Sequence, residues 1–185
     1  MIGITELTSE KVKANQMLAF ENAVLSVLPG LYEEKANRLE LHNRFNKEVS
    51  APDELSAGAY TIRQNGKITA YALPIAGQGF WAPIKGIIGI EADKKTIIAI
   101  AFYQQNETPG LGAEIAQPKF RNQFKGKIIS AGDKPLGIKR PGAELVASDV
   151  HAVTGATQTS VRLEKIINDA LKDWLSKVAK KDMEK

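Results

Sequence analysis

The stretch from residue 58 to residue 103 constrains the fold most, because it is typical of β-strands. From Gly58 to Ala70 its apolar residues, among them Tyr60, Ile62 and Ile68, recur with a period of two. The Asn65-Gly66 pair in its first half signals a two-residue type I′ turn between antiparallel strands. Further on, residues 86–92 and 95–103 are β-rich and flank a turn at Asp93-Lys94. No parallel βαβ unit is indicated, so the sequence predicts two hairpins in an antiparallel or mixed sheet.

A helix is predicted before this stretch, at residues 8–28. Thr8 or Ser9 is the expected N-cap, and Pro29-Gly30 is the expected end. The residues expected on its apolar face are Val12, Met17, Phe20, Val24 and Leu28. Such a stripe at helical spacing is typical of a face that packs against a core.

Two more helices are predicted after the β-rich stretch, a short one at residues 118–125 and a long one from about Thr159 to Val178. The long helix is expected to bury Val161, Ile166, Ile167, Ala170, Leu171, Trp174 and Val178. The order of elements predicts an α+β fold. With 185 residues, the chain is expected to form a single domain over residues 1–185, with residues 58–178 as its core.

The absence of cysteine limits the chemistry that this chain can perform. It excludes disulfides, thiolate nucleophiles and cysteine-ligated metal or iron–sulfur centres, and the two histidines, His42 and His151, form no metal pattern. The charges are nearly balanced, with 25 basic and 21 acidic residues, and no basic run is interleaved with aromatics as in a nucleic-acid groove. Redox chemistry would therefore require an organic cofactor.

No apolar run approaches the roughly 20 residues that cross a bilayer, and no signal peptide is visible. The chain as given is therefore expected to be soluble. Its first residues lead directly into a helical pattern. This fits either a natural start or a segment that follows a membrane anchor.

The segment Thr154-Gly155-Ala156-Thr157-Gln158-Thr159-Ser160 stands at the entry to the final helix. Gly155 permits a tight turn, and the first N–H groups of a helix have no partner within it. These N–H groups and the positive end of the helix favour an anion such as a phosphate. Ordinary N-capping by the hydroxyl side chains is the alternative.

Two glycine-containing segments could approach a flat ring. In Glu107-Thr108-Pro109-Gly110-Leu111-Gly112, the proline fixes one backbone angle and the glycines leave space beside the main chain. In Gly77-Gln78-Gly79-Phe80-Trp81, glycines precede aromatics that could stack on such a ring. The alternatives are an ordinary turn after a strand for the first segment and core aromatics for the second.

Taken in this order, the three segments resemble the FMN-binding domain family, and the resemblance runs from about Tyr60 to Trp174. The chain is similar to the G subunit of Rnf electron-transport complexes and to the C subunit of the sodium-translocating NADH:quinone oxidoreductase. Its compact length favours the Rnf subunit. The predicted helix at 8–28 fits the segment that follows the single membrane anchor of this family.

The resemblance implies that FMN is joined by a phosphoester to the last threonine of a Ser/Thr-Gly-Ala-Thr motif, here Thr157. A flavin transferase would make this bond after export, using FAD and magnesium. The residues expected to hold the phosphate are Thr154, Gly155, Ala156, Thr157, Thr159 and Ser160. Those expected near the ring are Trp81, Glu107, Thr108, Pro109, Gly110, Leu111 and Gly112, with the side chain of Glu107 or Thr108 touching it.

The resemblance also implies a place in the cell and a set of partners. The domain would lie on the outer face of the cell membrane, as one subunit of an ion-translocating Rnf-type complex that moves electrons between ferredoxin and NAD. Its partners would be the other membrane subunits and, during maturation, the flavin transferase. It would carry electrons without turning over a substrate alone, because no residue pair suggests a general acid and base.

His151 departs from the pattern of the family, which usually has an aspartate six residues before the acceptor threonine. Either His151 takes over the hydrogen bonding of that aspartate, or the neighbouring Asp149 reaches into the site. A second hypothesis is that the chain is not flavinylated, or binds FMN loosely, and acts as a docking module of a membrane complex. A third is a periplasmic binding domain that shares only the turn sequences.

Overall fold

Four antiparallel strands in the order β1-β2-β3-β4 form the main sheet of the computed structural model, which describes residues 2–183. Both predicted hairpins are confirmed. Asn65 and Gly66 have φ values of 51° and 77°, as the type I′ turn requires, and Lys94 in the second turn has a φ of 62°. The strands are β1 (Tyr60–Gln64), β2 (Lys67–Gln78), β3 (Pro83–Glu91) and β4 (Ile97–Gln104).

Helices cover both faces of this sheet, and the predicted α+β class is confirmed. The first, α1 (Ile2–Val27), packs on β3 and β4, and the last, α4 (Thr157–Met183), packs on β2 from the other side. Successive side chains of β2 point to opposite faces. Accordingly, Tyr71, Leu73 and Ile75 belong to the core under α4, whereas Ala70 and Ala72 belong to the core under α1.

Helix α1 begins at Ile2, so the predicted N-cap at Thr8 or Ser9 is wrong, since both residues lie inside the helix. The predicted stripe is correct only for its second half, because Val12 and Met17 are exposed. Close contact with the sheet is made at the other end, where a Cβ on Gly89 would lie 2.4 Å from the carbonyl oxygen of Val27. The helix ends at Val27, just before Pro29-Gly30, as predicted.

Helix α4 is longer than predicted at both ends, and one residue of its predicted buried face is wrong. Val161 is 59% exposed, and Leu163 occupies the core instead. Leu163, Ile167, Leu171 and Trp174 follow helical spacing on the buried side. Val161 lies one turn after Thr157 and therefore shares the exposed face with it.

Three elements connect or extend the sheet and helices. Helix α2 (Arg38–Glu48) was not predicted and has no buried residue. The predicted short helix at 118–125 is confirmed as α3 (Pro118–Arg121), followed by a 3₁₀ turn at Asn122–Phe124. A two-stranded parallel sheet of β5 (Gly137–Lys139) and β6 (Asp149–His151) was also not predicted.

Within residues 2–183, none of the helices combines the length and the apolar character needed to cross a bilayer.

Replacing Trp174 by phenylalanine is expected to destabilise the fold measurably. Trp174 is buried, and its indole N–H donates to the carbonyl oxygen of Ser56 at 3.0 Å. Phenylalanine would remove this hydrogen bond and leave the carbonyl with only the 3.1 Å bond from the N–H of Ala59. Loss of one such bond costs about 0.5–1.5 kcal/mol of unfolding free energy. Urea unfolding measures this loss. The matched control is Trp81→Phe on an exposed tryptophan, and equal stability of the two variants would refute the role of the buried bond.

Candidate functional site

The carboxylate of Glu107 connects three segments of the chain, residues 77–81, 107–112 and 154–160, through hydrogen bonds. It is only 4% exposed. Its Oε2 accepts a 2.6 Å hydrogen bond from the hydroxyl of Thr159, and its Oε1 accepts a 3.0 Å bond from the backbone N–H of Trp81. Because hydrogen bonds to a charged acceptor are stronger than neutral ones, this carboxylate holds the first turn of α4 against the two loops.

Two glycines make the close approach around Glu107 possible. A Cβ on Gly79 would lie 2.5 Å from Glu107 Oε1. A Cβ on Gly112 would lie 2.5 Å from the Thr159 hydroxyl oxygen and 3.0 Å from Glu107 Oε2. Any larger residue at either position would push the carboxylate from its partners.

The start of α4 leaves backbone donors without an acceptor. The residue before the helix is Ala156, whose carbonyl accepts from the N–H of Ser160 at 3.0 Å. The N–H groups of residues 157–159 therefore have no partner inside the helix. No side chain in the described residues accepts a hydrogen bond from them, and the methyl of Ala156 cannot cap. Ordinary N-capping, the alternative interpretation of this segment, is thus not observed.

Thr157 itself is exposed at this helix start. Gly155 has a φ of +77°, which turns the chain into the helix, and its Cβ position would lie 3.0 Å from Leu111 Cδ2. Ser160 is buried, and its hydroxyl has no hydrogen-bond partner in the described part of the chain. The helix start thus combines an exposed hydroxyl, three free N–H groups and a buried hydroxyl without a partner.

The structure places the candidate residues in two groups. Those at the surface are Trp81, Thr108, Pro109, Gly110, Leu111, Thr154, Gly155 and Thr157. Those buried behind them are Glu107, Gly112, Ala156, Thr159 and Ser160. Sequence reasoning gave no indication that Glu107 and Thr159 bond to each other, since 52 positions separate them. The only local signal was the pair of glycines that surround the carboxylate.

Exposed apolar side chains lie beside the helix start. Trp81 is 66% exposed, which excludes the alternative of a core aromatic at this position. Its ring meets that of Phe80 edge to face at 4.8 Å, and the guanidinium of Arg162 lies 6.0 Å from the Phe80 ring centre. Leu111 is also exposed. Exposed apolar groups in such proximity are typical of a binding surface.

A cleft of about 450 Å³ opens on the side of Gly110 and Thr154. It runs toward Phe120 and Gln123 and carries one charge of each sign, from Glu114 and Lys119. Its volume is in the range of small-molecule sites.

His151 and Asp149 bond to residues around β5 and β6 and, in the case of His151, to Gln123 of the 3₁₀ turn. The backbone of His151 is held by Gln123, and its ring Nδ1 lies 3.4 Å from the carbonyl oxygen of Arg140. Asp149 is buried and accepts from the N–H of Val146 at 3.3 Å. Neither residue forms a hydrogen bond with Thr157 in the described part of the chain. Among the side chains that the structure describes, no cluster of acidic and histidine residues could hold a metal ion.

Several curated proteins are similar to this chain. The C subunit of the Na(+)-translocating NADH-quinone reductase from Pasteurella multocida (strain Pm70) is 35% identical over 122 residues, which are 64% of this chain and 45% of the relative. The subunit of the same name from Chlamydia pneumoniae is 37% identical over 112 residues, 58% of this chain and 35% of the relative. The chain therefore spans less than half the length of these relatives.

The fold also matches solved structures. The crystal structure of the corresponding C subunit from Parabacteroides distasonis superposes with a TM-score of 0.74 at 22% identity, covering 91% of this chain and 96% of that one. A family model described as the FMN-binding domain matches residues 79–172, which is more than half of the chain and includes Glu107, Thr157 and Thr159. The chain therefore belongs to the FMN-binding domain family.

Proposed function

We propose that this protein is an electron-transfer subunit that carries FMN covalently, through a phosphoester on the hydroxyl oxygen of Thr157. The observation that carries this proposal is the exposed Thr157 hydroxyl at the start of α4, beside backbone N–H groups that no side chain satisfies. Family membership supplies the identity of the cofactor.

The residues at the helix start fit a phosphate. The N–H groups of residues 157–159 lie at the start of α4 without an acceptor in the described part of the chain. The helix dipole also favours negative charge at this end. The absence of a capping side chain at Ala156 leaves these donors to an external acceptor. Thr154 is exposed in the preceding turn and offers a further hydroxyl.

Attachment would require another enzyme to reach Thr157. We propose that a flavin transferase supplies FAD and magnesium, and that the Thr157 oxygen forms a bond to the FMN phosphorus. The pyrophosphate bond of FAD breaks, AMP leaves, and the hydroxyl proton is released. The exposure of Thr157 fits this step, because a buried hydroxyl could not enter the active site of a second protein.

The ring would lie against surfaces that the chain already presents. We propose that Trp81 and Leu111 provide apolar contact and that the backbone at Gly110–Gly112 allows close approach. Both oxygens of Glu107 are engaged by Thr159 and Trp81, so the exposed Thr108 is the one of the two candidate side chains that is available to the ring.

Bound FMN supplies the electron-transfer chemistry, accepting and donating electrons at its ring. The chain would hold the phosphate, orient the ring and keep it accessible to partners. A covalent bond would remove the need for a deep pocket, because the cofactor could not dissociate. We therefore expect no turnover of a substrate by the isolated subunit.

We further propose that the protein works in an ion-translocating redox complex on the outer face of the cell membrane. The names of the relatives, which are C subunits of a sodium-translocating reductase, support a complex of this kind. Within it, we keep the Rnf-type assignment as the finer proposal. Co-purification with the other Rnf membrane subunits would support it, and co-purification with NADH:quinone oxidoreductase subunits would refute it.

A docking module without covalent flavin is the second candidate. The observation that favours it is His151, which stands where the family usually has an aspartate and is held by Gln123 and Arg140. If the transferase needs that aspartate, Thr157 would remain unmodified although its hydroxyl is exposed.

Flavin fluorescence after denaturation separates the two candidates. The full-length protein is co-expressed with its flavin transferase and run on a denaturing gel, where only covalently bound flavin remains with the band. We expect a fluorescent band for the wild-type protein. A dark band, in a host where a known substrate of the same transferase is labelled, would contradict covalent attachment and favour the docking module.

A further inference from the structure

A groove of about 490 Å³ lies along the β4 edge of the main sheet. None of the residues that line it belongs to the segment 154–160. Its floor is the outer edge of β4, residues 98–103. One wall is α1, and the other is the segment from Arg121 to Lys125. We call this the β4 groove.

The β4 strand leaves its outer edge open along this groove. It is the last strand of the sheet and pairs with β3 on one side only. On the other side, Ile97 exchanges backbone hydrogen bonds with Gly126 and Lys127. Beyond Ile97, residues 98–103 have no backbone partner on that side in the described part of the chain. An open strand edge is a template for pairing with another extended chain.

The wall formed by α1 leaves room beside this edge. The α1 residues that face the groove recur at helical spacing, and most are small: Ala19, Asn22, Ala23 and Ser26. Small side chains allow a backbone to come close to the strand. Tyr32 stands at the rim of the groove and is exposed.

Two buried polar atoms of the groove lack hydrogen-bond partners, and the charged side chains that line it in the described part of the chain are basic. The Nε of Arg121 and the Oδ1 of Asn22 are buried atoms without a hydrogen-bond partner among the described residues. Lys125 also lines the groove, and none of the ion pairs among the described side chains involves Arg121 or Lys125. Among those side chains, none that lines the groove is acidic. A buried donor usually has an acceptor. The Arg121 side chain is half-buried in the groove, so its guanidinium can form a charge-assisted hydrogen bond with an external carboxylate.

We propose that the β4 groove binds an extended acidic segment of a partner polypeptide, which adds to the sheet as a fifth strand beside β4. The backbone of the segment would pair with residues 98–103, and a carboxylate on it would bond to Arg121, with Lys125 nearby. A second copy of this chain fits poorly, because two such edges would bring their basic side chains together. A small anion would leave the strand edge unused.

This inference is independent of flavin attachment, since none of the residues lining the β4 groove belongs to the Thr157 site. It can therefore be tested on the unmodified full chain.

Defined peptides test the proposal. The probes are capped peptides of the pattern Thr-Val-Thr-Xaa-Thr-Val-Thr, with Xaa as glutamate or lysine. Two further glutamate peptides carry N-methyl groups on alternate backbone amides, one peptide for each of the two hydrogen-bonding edges of the extended chain. Binding is followed by NMR chemical shifts and by amide hydrogen exchange of the full-length protein. We expect the glutamate peptide to shift and protect amides within residues 98–103. The lysine peptide should bind about ten-fold more weakly, which corresponds to loss of one charged hydrogen bond.

The variant Arg121→Gln should remove the preference for the glutamate peptide. The matched control is Lys119→Gln, which neutralises one charge on the same short helix but lines the other cleft, and it should keep the preference. Shifts outside the β4 groove, or unchanged exchange at residues 98–103, would overturn the proposal. Equal binding of the N-methylated peptides would overturn strand addition, and a preference that survives Arg121→Gln would overturn the role of Arg121.

Discussion

Replacing Thr157 by valine is expected to abolish covalent flavin attachment without unfolding the protein. Valine has nearly the shape of threonine but no hydroxyl, so no oxygen remains at this position to form the phosphoester. Thr157 is exposed at the first position of α4, and its side chain makes no hydrogen bond in the described structure. Surface changes of this kind usually alter stability by less than about 0.5 kcal/mol.

The measurement is flavin fluorescence of the denatured band after co-expression with the transferase, together with circular dichroism of the purified variant. The matched control is Thr157→Ser, which keeps a hydroxyl at the same position and should retain flavin. A fluorescent band in Thr157→Val at wild-type intensity would place the attachment on another residue.

Replacing Glu107 by alanine is expected to lower both stability and flavin loading. The change removes the acceptor of two hydrogen bonds, from the Thr159 hydroxyl and the Trp81 N–H, and leaves both donors buried or half-buried without a partner. Each unsatisfied donor costs roughly 1–3 kcal/mol, so the unfolding free energy should fall by about 3 kcal/mol. Loading should fall because the first turn of α4 is no longer held against the loops.

Urea unfolding measures the stability of Glu107→Ala, and the fluorescence assay measures its loading. The control is Glu144→Ala, which removes an exposed carboxylate and should change stability little. A double-mutant cycle of Glu107→Gln with Thr159→Val isolates the coupling, expected at about 1–2 kcal/mol for a buried charged bond. A stability equal to that of Glu144→Ala, or a coupling near zero, would contradict a holding role for Glu107.

The elements that the sequence predicted correctly are those whose signals are local. The Asn65-Gly66 turn fixes the first hairpin through its own backbone preference, and its positive φ values follow directly. The buried side of α4 was largely predicted for the same reason, because helical spacing repeats over many turns. The prediction for Val161 was wrong because it followed the apolar character of the residue. Around the helix axis, Val161 lies away from the face that Leu163 and Ile167 bury.

The missed elements depend on contacts that local patterns do not encode. Helix α2 has no buried residue, so its only sequence signal is the capping box between Asn37 and Glu40. Strands β5 and β6 are three residues each and pair across a connecting loop, too short for a period to appear. The exposure of Val12 and Met17 on α1 likewise does not follow from the spacing of the apolar residues of this helix.

The sequence led us to expect that three glycine-containing and hydroxyl-containing segments act together, and the structure brings them into contact through Glu107. That these residues form a cofactor site stays a prediction. The role of Glu107 as the residue that connects them, and the lack of a cap at Ala156, emerged only from the fold. Both findings concern which donors have acceptors, and a linear pattern cannot give that information.

The mass of the natively matured full-length protein is the sharpest test of covalent attachment at Thr157. We expect an intact mass that exceeds the polypeptide by one FMN less one water, and a proteolytic fragment that places this addition on Thr157. An intact mass equal to that of the bare polypeptide, from cells that contain an active flavin transferase, would refute covalent attachment.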